Sequence, residues 1–204
     1  MKLTAHPLTD LLAAFRSPEP MPGGGSAAAL AGAVGASLLA MVAGLPRSRT
    51  STPDEAARLA DAGARCTAIA AQLAELVDRD SVAYGTVMAA FRMPKGTDDE
   101  KAARSATIQE ATQSATEAPL HVMRACAEAI RQAGDVAAFG NSNAASDVQV
   151  ALELLGAGLR GARHNVAINL ESLRDAGYVA RVTGETDRLG ADAERDVLAA
   201  RARF

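Results

Sequence analysis

The sequence predicts an all-α fold, a multi-helix bundle with long antiparallel helices, on three observations. Apolar residues recur at three- and four-residue intervals along nearly the whole chain, and no stretch alternates with period two for long enough to make a strand. Hydrophobic types supply 49% of the 204 residues but aromatics only 3%, with no Trp, so the core has to be made of Ala, Leu, Val and Gly, which suits closely spaced helices. Two capping boxes, Thr52 with Glu55 and Thr97 with Glu100, mark helix starts. The length reads as one helical domain over residues 1–204, able to bury about 70% of its extended surface.

Leu8 to Arg16 reads as a short first helix, ended by Ser17-Pro18-Glu19-Pro20-Met21-Pro22, where proline forbids continuation. Gly23-Gly24-Gly25-Ser26 opens an apolar helix that carries no charge from Ser26 to Leu45. That run is long enough to span a bilayer. It is dominated by Ala and Gly, however, lacks aromatic belts and has no second segment like it, which predicts a central buried helix. Ala28, Gly32, Ala36 and Ala40 recur every fourth residue there, so another backbone can approach closely. After a polar loop, Thr52 caps a helix with Pro53 in its first position, running to about Phe91. At ~1.5 Å per residue it is close to 60 Å long unless Gly63 or Gly85 bends it. Met93-Pro94-Lys95-Gly96 breaks it. From Thr97 helix resumes to Glu117, is kinked or restarted at Pro119, and stops at Gly140. Asn141-Ser142-Asn143 forms the next turn and cap, a helix reaches about Arg174, and Gly177 precedes a charged C-terminal helix.

The net charge is −3 and the basic residues are scattered, which argues against a nucleic-acid partner and for a small ligand. Cys66 and Cys126 stand apart from each other and from histidine, so neither a metal site nor a disulfide framework is expected; both read as small core residues. Met1 to Asp10 lacks a signal-peptide layout, and a reduced cytoplasmic setting is expected, with no membrane partner.

Stepping round the long helix at ~100° per residue puts Cys66, Ile69, Leu73, Leu76, Asp80, Tyr84, Val87 and Phe91 on one inward stripe. Asp80 is then a carboxylate on an apolar face, while Asp78 and Arg79 point elsewhere. Such a group is paired in a salt bridge, bonded to a capping group, or kept for acid/base work with a raised pKa. On the helix after Gly140, a strip of Asp147, Ala151, Gly158, Ala162, Asn165 and Asn169 flanks the main apolar stripe. It can line a cleft, or Asn165 and Asn169 can bond across a helix interface. Asp147 and Asn165 lie ~27 Å apart along a continuous helix and cannot hold the same atom. Gly23-Gly24-Gly25-Ser26 reads either as an anion or carbonyl site at a helix N-terminus or as a tight chain reversal. Gly156 to Gly161 has the letters of a dinucleotide fingerprint but lies inside a helical pattern with no strand before it. His121 and His164 fall on polar faces and read as solvated, so nucleophilic triads are not expected and carboxylate chemistry remains.

Taken in order, Pro22-Gly23-Gly24-Gly25-Ser26-Ala27-Ala28-Ala29, Met41-Val42, Leu45, Asp80, Ala83-Tyr84, Val87-Met88, Pro94-Lys95, Lys101, Arg104, Ile108-Gln109, Pro119-Leu120, Gly140-Asn141, Asn143, Ser146-Asp147, Gly161-Ala162, Asn165-Val166 and Ile168-Asn169 resemble the cyclodeaminase/cyclohydrolase family of folate enzymes. The likeness spans the whole chain and resembles the stand-alone form, without a formiminotransferase domain. One departure is Leu45-Pro46-Arg47-Ser48-Arg49, where the family often has Leu-Thr and a basic stretch. The resemblance implies homo-oligomers built on dimers that join through helices, and hydrolysis of methenyltetrahydrofolate to formyltetrahydrofolate. The alternatives are a cyclodeaminase releasing ammonia from formiminotetrahydrofolate, and a non-enzymatic folate-binding module. It implies catalytic roles for Asp80, Tyr84 and Asp147, with Gly23, Gly24, Gly25, Ser26, Gln109, Asn141, Asn143, Asn165 and Asn169 as substrate contacts. Lys95, Arg47 and Arg49 are its candidates for the glutamate tail. No metal and no cofactor beyond the tetrahydrofolate substrate is expected.

Overall fold

The computed structural model describes residues 2–46 and 50–203, and their elements are helical throughout. Six α-helices follow in order: α1 Leu8–Arg16, α2 Gly24–Gly44, α3 Pro53–Phe91, α4 Asp98–Phe139, α5 Ala145–Glu171 and α6 Ala176–Arg201. Short 3-10 turns at Leu3–Ala5 and Ser142–Ala144 complete the set. Both capping boxes form as expected: Thr52 Oγ1 accepts from Glu55 N and Thr97 Oγ1 from Glu100 N, each at 3.2 Å. The α5–α6 break differs slightly from expectation. Helix α5 stops at Glu171, and Asp175 caps α6 by accepting from Tyr178 N at 3.0 Å, so Gly177 lies inside α6 rather than before it.

Consecutive long helices run antiparallel. Ser26 at the start of α2 bonds Val77 and Asp80 on α3, while Ala43 at its end faces Gly63. Arg58 and Asp135 pair α3 with α4, and Arg104 near the start of α4 donates to the Phe91 carbonyl at the end of α3. α2 is the central helix, packed against α3, α4 and α5. Its freedom from charge follows from that position, and Leu39 and Val42 meet Leu73, Leu76, Leu120, Met123, Leu152 and Leu155 in one core. Polar contacts dock α6 on α4: Arg124 forks onto Glu185 at 2.6 and 3.0 Å, and Tyr178 Oη donates to Glu117 at 3.0 Å.

Two expectations about helix shape need correcting. α4 is one uninterrupted helix through Pro119, with no restart, and Pro119 is buried within it among packed neighbours. The stripe on α3 is inward only as far as Asp80. Tyr84 is 38% and Phe91 46% exposed, since α3 outruns the start of α2 by about three turns and does not have α2 to face there.

The α2–α5 crossing depends on missing side chains. A Cβ at Gly158 would sit 2.8 Å from the Ala28 carbonyl oxygen and 3.1 Å from Cys126 Sγ. Gly158→Ala is expected to cost about 1–3 kcal/mol by forcing the backbones apart. Gly134→Ala on α4, where a Cβ meets nothing within 4 Å, is expected to stabilise by about 0.5–1 kcal/mol. Thermal melts of the two variants check the contrast; equal shifts would contradict the close-packing argument.

Candidate active site

α2 begins without a cap of its own, because Gly23 in the capping position has no side chain. One free N–H of its first turn, that of Ser26, is met from α3 instead. Asp80 Oδ2 accepts from Ser26 N at 3.0 Å and from Ser26 Oγ at 3.2 Å. Ser26, fully buried, also reaches the Val77 carbonyl at 2.8 Å and lies 3.4 Å from Ser81 Oγ. Asp80 can come this close only because residue 25 is glycine: a Cβ there would overlap Oδ1 and stand 2.5 Å from Cγ. Both sequence-level readings of Asp80 therefore meet in one group, which caps a helix and faces a cavity.

That cavity, about 220 Å³, is lined by Pro20, Met21, Gly23, Gly24, Gly25, Asp80, Ala83, Tyr84, Ala115, Asn165 and Asn169. Residues from five parts of the chain converge on it, with Gly23–Gly25 as its floor, α3 and α5 as facing walls, and Tyr84 at its rim. Asn165 Nδ2 donates to the Gly161 carbonyl at 2.9 Å, which fixes the amide on its own helix. Burial lifts the Asp80 pKa above the usual carboxylate range and the two Ser26 bonds pull it part of the way back. Neither cysteine competes as a nucleophile, since burial pushes both thiols up to about 12.

The remaining sequence-level candidates lie elsewhere. Asn141 closes a turn by accepting from Asn143 N at 2.9 Å and donating to the Pro46 carbonyl at 2.7 Å, beyond the far end of α2. Asn141, Asn143 and Asp147 are thus about 30 Å from Asp80, the length of α2, and share no ligand with it within one chain. Gln109 is fully engaged, donating to the Ser172 carbonyl and accepting from Arg174 N, both at 2.8 Å, as a clamp on the α5–α6 turn. Lys95 is exposed at the α3–α4 turn, at least ~16 Å of helix beyond Asp80. Arg47 and Arg49 lie outside the described residues. His164 is exposed as expected, but His121 is half-buried with Nδ1 enclosed and without a hydrogen-bond partner among the described residues.

Sequence reasoning missed Pro20, Met21, Ala83 and Ala115 as cavity walls. Ala115 carried a signal, since it sits four residues before Pro119, whose missing N–H leaves the Ala115 carbonyl without its helical donor.

The fold and site together are an all-α bundle with a half-buried carboxylate facing a helix-lined cavity. The comparisons with known proteins identify the family. The formiminotransferase-cyclodeaminase family profile matches residues 7–188, and the chain belongs to that family. It is 40% identical over 91% of its length to a methenyltetrahydrofolate cyclohydrolase of Methylorubrum extorquens, covering 89% of that protein. It is 34% identical over 76% of its length to the formimidoyltransferase-cyclodeaminase of Rattus norvegicus, but spans only 28% of that longer chain. In fold it matches the crystal structure of a formiminotetrahydrofolate cyclodeaminase from Thermotoga maritima with a TM-score of 0.87 at 24% identity, covering 99% of this chain and 97% of that one.

Proposed function

We propose that this chain is a methenyltetrahydrofolate cyclohydrolase of one-carbon metabolism, acting in the cytoplasm as one helical domain and needing no cofactor beyond its folate substrate. The observation that carries the reading is Asp80: a carboxylate with raised proton affinity on the cavity wall, bonded by Ser26 and with no cation among its described partners. A folate-binding module without turnover would instead be expected to hold Asp80 in a permanent ion pair. The 40% identity to a cyclohydrolase over nearly the full length of both chains supports the reaction.

In this reading the cationic methenyl bridge carbon lies against Asp80. The carboxylate takes a proton from water as the oxygen bonds to that carbon, giving a neutral tetrahedral adduct. Asp80 then passes its proton to the pteridine nitrogen as the C–N bond breaks, the hydroxyl proton leaves, and the product is 10-formyltetrahydrofolate with one proton released. Asn165 and Asn169 offer amide donors and acceptors to the pterin, and Tyr84 an aromatic face at the rim. The cyclodeaminase reading uses the same carboxylate and is favoured by the formimidoyltransferase-cyclodeaminase relatives. Purified protein offered each substrate separates the two. Loss of methenyl absorbance without ammonia release from the formimino substrate supports the cyclohydrolase, and the reverse outcome overturns it.

The homodimer belongs to the same proposal. Ala27, Ala31, Val34, Leu38 and Met41 recur at alternating intervals of four and three on the outward face of α2, and Val34 and Met41 are 44% and 43% exposed. Val150 and Ile168 of α5 continue the apolar surface alongside. Two copies paired antiparallel about Val34 would set the Asp80 end of one against the Asp147 end of the other, which gives Asp147, Asn141 and Asn143 a route to the substrate that a single chain lacks. Val34→Asp is expected to yield monomers in analytical ultracentrifugation and to lower activity; an unchanged sedimentation coefficient would contradict the pairing.

A further inference from the structure

We propose that Ser26 is a positioning residue for the reaction: it ties down Asp80 Oδ2 and leaves Oδ1 as the oxygen that exchanges a proton with the ligand in the cavity. The proposal rests on the acid/base reading of Asp80 given above. It assigns Ser26 to the carboxylate rather than to the substrate, which its complete burial keeps out of reach.

The two oxygens of Asp80 are not equivalent. Oδ2 receives both Ser26 N, at 3.0 Å, and Ser26 Oγ, at 3.2 Å, whereas no donor meets Oδ1 among the described residues. Ser26 N–H belongs to the first turn of α2 and has no helical acceptor, so it is a fixed donor. The hydroxyl is different, because its one hydrogen has a choice of acceptors: Oδ2, the Val77 carbonyl at 2.8 Å and, more distantly, Ser81 Oγ at 3.4 Å. Val77 also accepts the ordinary helical N–H from Ser81 and is not orphaned when the hydroxyl turns away. The hydroxyl can therefore point to Oδ2 while Asp80 is ionised and to Val77 once the carboxyl is protonated, favouring the charged form without blocking its neutralisation. A proton on Oδ2 would face the fixed Ser26 N–H. It resides on Oδ1.

Little else near the carboxylate competes for this role. The first turn of α2 brings Gly23, Gly24 and Gly25, α5 brings the neutral Asn165 and Asn169, α4 brings Ala115, and the titratable neighbour lining the cavity on α3 is Tyr84. Burial raises the Asp80 pKa and Ser26 alone opposes that rise.

The test reads Asp80 directly. The full chain labelled with 13C at the aspartate Cγ is titrated by NMR, with Asp80→Asn assigning the signal. Removing a donor from the ionised form raises the pKa, so Ser26→Ala is expected to titrate about one pH unit above wild type. The acid limb of kcat/KM should move with it, while KM stays within about twofold. Ser26→Cys keeps the branching with a slightly larger atom and a weaker donor, and is expected to shift in the same direction by less, which covers the case in which Ser26→Ala does not fold. An unmoved Asp80 titration overturns the proposal, as does a raised KM with an unmoved pH profile. Full activity of Asp80→Asn would instead sink the acid/base reading itself, a result the substrate-free titration keeps separate.

Discussion

Asp80→Asn is expected to lower turnover of methenyltetrahydrofolate by about 10²–10⁴-fold, the usual range for losing a general acid or base, while the protein folds normally and KM changes little. The substitution isolates chemistry from structure because Asp80 does two jobs. As a cap for α2 it accepts the Ser26 N–H, and an amide oxygen can accept the same bond. As an acid/base it needs a proton that comes and goes, which an amide lacks. The stability of the variant carries its own sign. Burial raises the folded-state pKa of Asp80 above its unfolded value, so what the group contributes to stability is fully present below the unfolded value, near ~3.9, and is lost as pH rises through the folded one. At neutral pH the wild type holds an ionised, partly desolvated carboxylate that Asn does not. The melting temperature of Asp80→Asn relative to wild type should thus become more favourable from pH 4 to pH 7. Near-normal turnover by a folded Asp80→Asn protein would remove the proposed mechanism.

How far the site was legible depended on which physical rule located each residue. Helical periodicity singled out Asp80, because an aspartate in phase with Leu73 and Leu76 is anomalous whatever the neighbours are. The same rule mistook Tyr84 and Phe91 for buried residues, since periodicity identifies a face and says nothing about where the opposing helix begins. α2 starts level with Asp80, and that is a tertiary fact. The structural roles of Asn141 and Gln109 were not legible for another reason: amides that close turns and clamp carbonyls have the same letters as amides that bind ligands. Their bonds to Pro46, Ser172 and Arg174 join segments more than 60 residues apart in sequence, which no local pattern encodes. Asn165 and Asn169 were found because the small and polar strip they belong to is continuous along one helix. The fold itself was legible throughout, as caps, proline breaks and the uncharged run of α2 all specify the same bundle. Pro119 is the exception, where packing overrides a local helix breaker.

Gly25→Ala is expected to disable the enzyme more than any other single methyl group added at the site. Gly23, Gly24 and Gly25 are alike in sequence and all three line the cavity, yet the space around them differs. A Cβ at Gly23 would meet its nearest atom, the Pro20 carbonyl oxygen, at 3.6 Å, and one at Gly24 would meet Asn165 Nδ2 at 3.7 Å, both ordinary contacts. At Gly25 the methyl would overlap Asp80 Oδ1 and lie 2.5 and 2.7 Å from Cγ and Oδ2. The carboxylate must move, and on a packed helix it moves as a group, breaking the Ser26 bonds that cap α2 and set the proton-transfer geometry. Displacement of about 1 Å is enough to reduce kcat/KM by about 10²-fold, and the overpacked contact should cost about 1–3 kcal/mol in stability. Gly23→Ala should keep wild-type stability and kcat. Gly24→Ala should keep kcat and raise KM, because its methyl narrows the cavity without touching Asp80. Steady-state kinetics and melts of the three variants decide the matter: if Gly25→Ala behaved like Gly23→Ala, the carboxylate would have freedom that the packing around it forbids. The glycine run would then serve the ligand alone, with no part in seating the acid.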